Sequence, residues 1–386
     1  MNKWAVLLLS TMLAACATTP APHANDPLFK DSLFSAPSER ISAQDVFALS
    51  PEMKNYLTTG IGSQLRVHGR QRGLIDALYN KSLLKLEFDS ADTRTAAQAF
   101  AARSGNCLSL VIMTAAFAKE LGLAVRFQKV FIDETWSRSG DNYLFIEHVN
   151  LTLSERSPEP GFGRIEVDPM IIDFIPPQDV RGLRIRGITE ETIVAMYMNN
   201  RAVESLTRGQ LDDAYWFARE SIRQDPQFLS AYNTLGAAYR RHGNLAEAER
   251  AFAYVLARDP ANSHSMSNLA SVLNDLGRVE ESRELNRKLE QIDPNPAFGY
   301  FKRGLVAMQN KDYKAASELF AQEVERAPYY HEFHFWLGLS YLGMGEYDKA
   351  RKQLTLAMEN STTRNDHDLY AAKLDRLGSY LRDKPY

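Results

Sequence analysis

At 386 residues the chain has room for two to three domains of ~100–200 residues each. Its 45% hydrophobic and 24% charged composition is that of a globular protein and excludes a collagenous or wholly disordered chain. Lys+Arg number 45 against 48 Asp+Glu, a formal net charge of −3, so the basic excess of a nucleic-acid binder is missing and no nucleic-acid partner is expected. Two cysteines, Cys16 and Cys107, cannot make a disulfide framework.

The chain begins MNKWAVLLLSTMLAAC: Lys3, an apolar core from Trp4 to Leu9, then small residues before Cys16. From Trp4 to Ala15 there are twelve residues, short of the ~20 that a membrane-crossing helix needs, so residues 1–15 read as an export signal. The run Leu13-Ala14-Ala15-Cys16 resembles the lipobox of bacterial lipoproteins. That resemblance implies cleavage before Cys16, a diacylglycerol on its sulfur and a membrane attachment through the lipid. Ala17 stands where inner-membrane retention usually requires Asp, which implies an outer-membrane anchor facing the periplasm. Residues 16–40 read as a lipid-anchored flexible tether, because the small, polar, Pro-rich stretch ATTPAPHANDP (17–27) offers little apolar surface to bury.

Residues 41–190 carry the candidate chemistry. The segment from Thr93 reads as a helix, a tight Ser104-Gly105-Asn106 turn, a buried helix from about Cys107 to Leu121, then a strand. Cys107 therefore falls at a helix N-terminus, where the partial positive charge favours thiolate. NYLFIEHVNLTL alternates as a strand carrying His148, and GRIEVDPMIIDF reads as a third strand with two acids, Asp168 and Asp173. The cluster Arg66, His68, Arg70 and Arg72 suits either a phosphate-bearing lipid or a solvated face, and Arg181, Arg184 and Arg186 are equally ambiguous. No Gly-rich phosphate loop, zinc-type spacing or glycosidase-type Glu pair stands out, so neither a cofactor nor a metal is expected.

Cysteine at a helix start, histidine on one strand and an acid on the next resembles the transglutaminase-like superfamily of papain-fold thiol enzymes. The resemblance implies an α+β transglutaminase-like domain in which Cys107 attacks a carboxamide or peptide carbonyl, His148 takes its proton and an acid orients the imidazole. The Cys107 N–H would supply one oxyanion donor; no Gln or Trp at an obvious upstream spacing supplies the second. The superfamily's VDP pattern points to Asp168 as the acid, whereas the DF pattern points to Asp173. The strings FALSPEM, TRTAAQAF, GNCLSLVIMTAAFAKELGL, HVNLTL and IIDFIPP, followed by repeats, look like a proteobacterial family of transglutaminase-like, tetratricopeptide lipoproteins.

Those repeats are marked by Pro226, Pro260, Pro294 and Pro328, spaced 34 residues apart. That is the tetratricopeptide period, and it sets units at 195–228, 229–262, 263–296, 297–330 and 331–364, an all-α solenoid over 195–364. Small residues recur at the eighth position (Ala202, Gly236, Ala270, Gly304, Gly338) and the twentieth (Ala214, Ala248, Ser282, Ala316, Ala350), where the paired helices meet. Residues 365–386 read as a capping helix. Phe298, Phe301, Leu305, Met308, Phe335 and Leu339 either line a peptide-binding groove or belong to the core, and His331 with His334 lacks the further ligands of a metal site. Two functions follow: a periplasmic thiol enzyme, a peptidase, amidase or acyltransferase whose repeats hold a protein or peptide, or a non-catalytic repeat scaffold with a degenerate thiol pocket.

Overall fold

The computed structural model describes residues 27–79, 84, 86–89, 92–131, 136–139, 142–145, 148–156, 166–174, 184–294, 298–361 and 363–382. The expected export signal and the expected lipidation site Cys16 lie outside them, as does Arg181. Among the described residues no helix is long and apolar enough to cross a membrane.

The N-terminal part is α+β. Its first helices are α1 (Pro51–Asn55), which runs on into a wider turn over Tyr56–Gly60, α2 (Gly62–His68) and α3 (Arg70–Tyr79). A short strand β1 (Glu87–Phe88) precedes α4 (Ala96–Ala102), whose N-terminus is closed by a reciprocal Thr95–Gln98 capping box. Strand β2 (Ser104–Gly105) pairs in parallel with β1 and leads into α5 (Cys107–Glu120). Twelve of the fourteen α5 residues are buried, as expected of a helix that is apolar on all sides.

Helix α5 packs on β3 (Ala124–Phe131) and β6 (His148–Arg156) of a four-stranded sheet, in which every neighbouring pair is antiparallel. Between these strands, β4 (Trp136–Ser139) and β5 (Asn142–Phe145) form a separate hairpin. The expected strand NYLFIEHVNLTL is thus divided: its first residues pair with β4, and its last pair with β3 and with β7 (Glu166–Ile172). Strand β8 (Arg184–Ile188) closes the sheet on the far side of β3.

Five helix pairs follow: α6 (Glu190–Thr207) with α7 (Leu211–Gln224), α8 (Leu229–His242) with α9 (Leu245–Arg258), α10 (Ser263–Asp275) with α11 (Val279–Ile292), α12 (Gly299–Gln309) with α13 (Tyr313–Arg326), and α14 (His331–Gly343) with α15 (Tyr347–Glu359). Helix α16 (Arg364–Arg382) ends the array. Close approach within pairs explains the small residues: a Cβ on Gly236 would stand 2.7 Å from the Phe252 ring, and one on Gly304 would stand 2.6 Å from the Phe320 ring. Phe298 and Phe301 are fully buried in an aromatic cluster with Phe320, Phe333 and Trp336, so they belong to the core and not to a groove.

Residues 28–38 depart from the expected flexible tether, because they are docked on the α7–α8 seam. Leu28, Phe29 and Phe34 are buried, and Phe34 stacks on Tyr215 with ring centroids 4.0 Å apart. The Tyr239 hydroxyl donates to the Leu28 carbonyl at 2.7 Å, and the Lys30 N–H donates to the Tyr215 and Tyr239 hydroxyls. Trp216 Nε1 donates to the Ser35 carbonyl at 2.6 Å, while Asp212 and Asp213 accept from the N–H groups of Ser35 and Ser38. Apolar anchors spaced among satisfied backbone groups offset the entropy of ordering this part of the tether, which lies beyond the polar stretch 17–27 on which the expectation rested.

Candidate functional site: a buried thiol, an imidazole and a carboxylate

Local rules place the cysteine. Asn106 is the N-cap of α5: its Oδ1 accepts from the Ser109 N–H at 2.9 Å and from the Ser109 hydroxyl at 2.8 Å. Cys107 is then the first helical residue, and its N–H is among the first-turn donors that have no intrahelical acceptor. Gly105 must be glycine, because a Cβ there would meet Ser109 Cβ at 2.7 Å. The Asp89 N–H donates to the Gly105 carbonyl at 3.1 Å, which fixes the turn from outside.

The imidazole comes from the start of β6. His148 is 2% exposed, and its Nε2 donates to Asp173 Oδ1 at 2.8 Å. Burial works to lower its pKa, but the hydrogen bond to Asp173 and the neighbouring Cys107 side chain outweigh it, and the imidazole is pushed up to about 9. The second ring nitrogen, Nδ1, is buried and has no hydrogen-bond partner among the described residues. With Nε2 committed to Asp173, Nδ1 is the nitrogen left to exchange a proton with the thiol. Cys107 itself is buried and in no disulfide.

The acid on His148 is Asp173. On β7, Val167 pairs with Glu155 and Met170 with Leu153, so Asp168 and Pro169 together oppose Ser154 in a β-bulge. Pro169, lacking an N–H, suits the interrupted ladder, and Asp168 takes the left-handed φ of 54° that aspartate tolerates better than most residues. Gln71 holds the bulge, donating from Nε2 to the carbonyls of Leu153 and Asp168 at 2.9 and 2.8 Å. Ser154 lies six residues along β6 from His148, or ~20 Å at ~3.3 Å per residue, so the exposed Asp168 is out of reach. Asp173 follows one step beyond the Leu151–Ile172 pair, beside Asn150 and diagonal to His148.

Two supporting residues escaped the sequence. Asn150 Nδ2 donates to Asp173 Oδ2 at 2.8 Å, so both carboxylate oxygens are engaged, and the Tyr79 hydroxyl donates to the Asp173 carbonyl at 2.8 Å. Asn150 was detectable in principle, since it lies two residues from His148 and shares its strand face. Tyr79 comes from a different element, and no local pattern marks it.

Other singled-out residues are structural. His68 and Arg72 pair with Asp76, and Arg70 pairs with Glu155 at 2.9 Å, so the basic cluster is largely neutralised. His331 Nδ1 meets the Tyr370 hydroxyl at 2.7 Å, and His334 lies between Gln353 and the Pro328 carbonyl. Arg184 stacks over Phe131. Among the described residues no group of three or more His, Cys, Asp or Glu is placed to hold a metal.

The C-terminal half is a tetratricopeptide-repeat solenoid, the class of helical array used to bind proteins and peptides. The tetratricopeptide repeat family model matches residues 233–296 and 301–363. The chain is similar to the TPR repeat-containing protein YvcD of Bacillus subtilis, 29% identical over 39% of this chain and 31% of that protein. It is also similar to Hsp70-Hsp90 organizing protein 3 of Arabidopsis thaliana, 25% identical over 33% of this chain and 23% of that protein. Among solved structures, the thermophilic TPR protein TTC0263 of Thermus thermophilus aligns with 47% of this chain and 98% of its own, at 21% identity and a TM-score of 0.32. The chain thus spans less than a third of the length of the curated relatives named here.

Proposed function

We propose that the protein is a transglutaminase-like thiol enzyme that cleaves or transfers an amide or peptide bond, with its repeats holding a protein or peptide partner. The observation that carries this reading is the division of labour on His148: Nε2 is held by Asp173, while the buried Nδ1 is left for the neighbouring Cys107, whose side chain helps to raise the imidazole's pKa. In the proposed reaction the Cys107 proton passes to Nδ1 and the thiolate adds to the acyl carbon. The Cys107 N–H, at the first turn of α5, would donate to the resulting oxyanion. The imidazolium then protonates the departing amine, leaving an acyl thioester that water resolves by hydrolysis or a second amine by transfer. Asp173 keeps the proton on Nε2 and stabilises the imidazolium, and Asn150 holds Asp173. Asp168, exposed at the bulge, has no part in these steps.

The supporting experiment is trapping of a thioester or alkylated product on Cys107 with electrophilic amide and peptide probes, compared with Cys107→Ser. Labelling of the wild type alone, together with turnover of at least one probe, is expected. Absence of both would leave the second reading, a non-catalytic scaffold, which the match to interaction-type repeats supports. We also propose export and lipidation at Cys16, with the protein on the periplasmic face of the outer membrane. Cys16→Ser is expected to move the protein from the membrane to the soluble fraction; a wild-type chain with no lipid mass at Cys16 would refute the anchor.

A further inference from the structure

We propose that Glu204, on the first repeat helix, is a positioning residue for Cys107, so that the repeat array completes the thiol site and does not merely adjoin it. This rests on the reading of Cys107 as the nucleophile. The connection runs through three side chains. Asn106, the N-cap that sets the direction of α5 at Cys107, also donates from Nδ2 to Thr93 Oγ1 at 2.9 Å. Thr93 is 2% exposed, and its N–H donates to Glu204 Oε1 at 2.7 Å. Asn200, one turn earlier on α6, donates to the same Thr93 hydroxyl at 3.2 Å.

Glu204 is itself held. Its second oxygen pairs with Arg201 at 3.2 Å, and Arg201 reaches on to Glu39, just past the docked N-terminal segment, at 2.5 Å. Arg208 pairs with Asp92, next to Thr93 in sequence. Asn200, Arg201, Glu204 and Arg208 are spaced as one side of a helix, and all four meet the N-terminal domain or the segment leading to it.

The repeat pattern shows how unusual this is. At the position of Glu204, the later units carry Ala238, Val272, Val306 and Ser340, none of them ionisable. Burial raises the pKa of Glu204, a cost that the Thr93 hydrogen bond and Arg201 reduce. The carboxylate buried there at that cost is directed at the Thr93 N–H behind the cysteine turn, and so orients the segment that Asn106 bonds. A nucleophile displaced by about 1 Å can lose ~100-fold in rate, so a rigid support behind Asn106 has a large effect to exert.

The test is the pH dependence of Cys107 alkylation by iodoacetamide in the full chain. Glu204→Ala is expected to lower the rate near neutral pH by ~10-fold and to shift the profile toward that of an ordinary thiol. Glu204→Gln, which keeps an oxygen for the Thr93 N–H, should recover most of the rate. Thr93→Val, of nearly the same shape but without the hydroxyl that Asn106 uses, should fall with Glu204→Ala even if the latter proves too unstable to purify. Wild-type profiles in Glu204→Ala or Thr93→Val, with His148→Ala clearly slowed, would overturn the positioning role and leave the nucleophile reading intact. A His148→Ala profile equal to wild type would remove the nucleophile reading, and the positioning role with it.

Discussion

His148 Nε2 and Asp173 Oδ1 stand 2.8 Å apart although their strands are out of direct register, because a bulge at Asp168–Pro169 slides β7 by one residue against β6. Without the extra residue, Ile172 would take the place beside Asn150, and by strand alternation an apolar side chain would face the imidazole. The motif that suggests Asp168 as the acid thus produces the shift that delivers Asp173.

This relationship separates the two acids experimentally. Asp173→Asn removes the charge that stabilises the imidazolium, and Cys107 alkylation at neutral pH should slow by ~10-fold or more, since each pKa unit lost from the imidazolium is about tenfold in the thiolate–imidazolium population. Asp168→Asn, exposed and remote, should alkylate at the wild-type rate. Equal effects from the two substitutions would contradict the placement of the acid.

The same pair makes stability depend on pH. The pKa of His148 in the folded protein, about 9, lies above the 6.5 of an unperturbed imidazole, so folding favours the protonated form. Its contribution is complete below about pH 6.5 and disappears as pH rises through about 9. Thermal unfolding should therefore show a midpoint that declines across this window. The decline should be shallower in Asp173→Asn, because the group that raises the pKa has lost its charge. An identical slope in wild type and variant would show that Asp173 is not the group that raises the His148 pKa.

How much of this was legible in the sequence depends on the range of the interactions involved. The repeats declare themselves locally, through proline every 34 residues and small residues wherever two helices touch, and the α5 start is written in Gly105-Asn106 before an apolar run. The choice between Asp168 and Asp173 was not legible, because a bulge depends on pairing between strands and leaves both spacings open. The 28–38 segment misled for a similar reason. It reads as a continuation of the polar, Pro-rich stretch 17–27, and the docking site for its Leu28, Phe29 and Phe34 comes from Tyr215, Trp216 and Tyr239, some 180 to 210 residues away, which also hydrogen-bond its backbone. Likewise Phe298 and Phe301 fit either a groove or a core until Phe320 and Phe333 surround them.

Packing within the array is testable at its glycines. Gly236→Val would press side-chain atoms into Phe252, whose ring lies 2.7 Å from the nearest Cβ position, and should destabilise the array by about 1–3 kcal/mol. Gly187→Ala, on exposed β8 with nothing within 4 Å of its added Cβ, serves as a control that should leave the unfolding midpoint unchanged. Denaturant titration followed by far-ultraviolet circular dichroism distinguishes the two outcomes.

The docked N-terminal segment makes the strongest demand on the structure, because its attachment depends on a few tyrosines and one stacked ring. Phe34→Ala removes the ring that stacks on Tyr215 and also lies 4.5 Å, centroid to centroid, from His242. The residues on either side would then rely on hydrogen bonds worth about 1 kcal/mol each, too little to balance the 1–2 kcal/mol of backbone entropy lost per ordered residue. Amide exchange at Lys30, Ser35 and Ser38 should accelerate by at least ~10-fold in this variant, because their acceptors, Tyr215 and Tyr239, Asp212 and Asp213, would engage them only transiently. Trypsin should also cut at Lys30, which is protected while its backbone is bonded to the two tyrosines. Rapid exchange and cleavage already in the wild type would mean that the segment is not held on the α7–α8 seam in solution, and that the Glu39–Arg201 bridge beside it orders nothing N-terminal to itself.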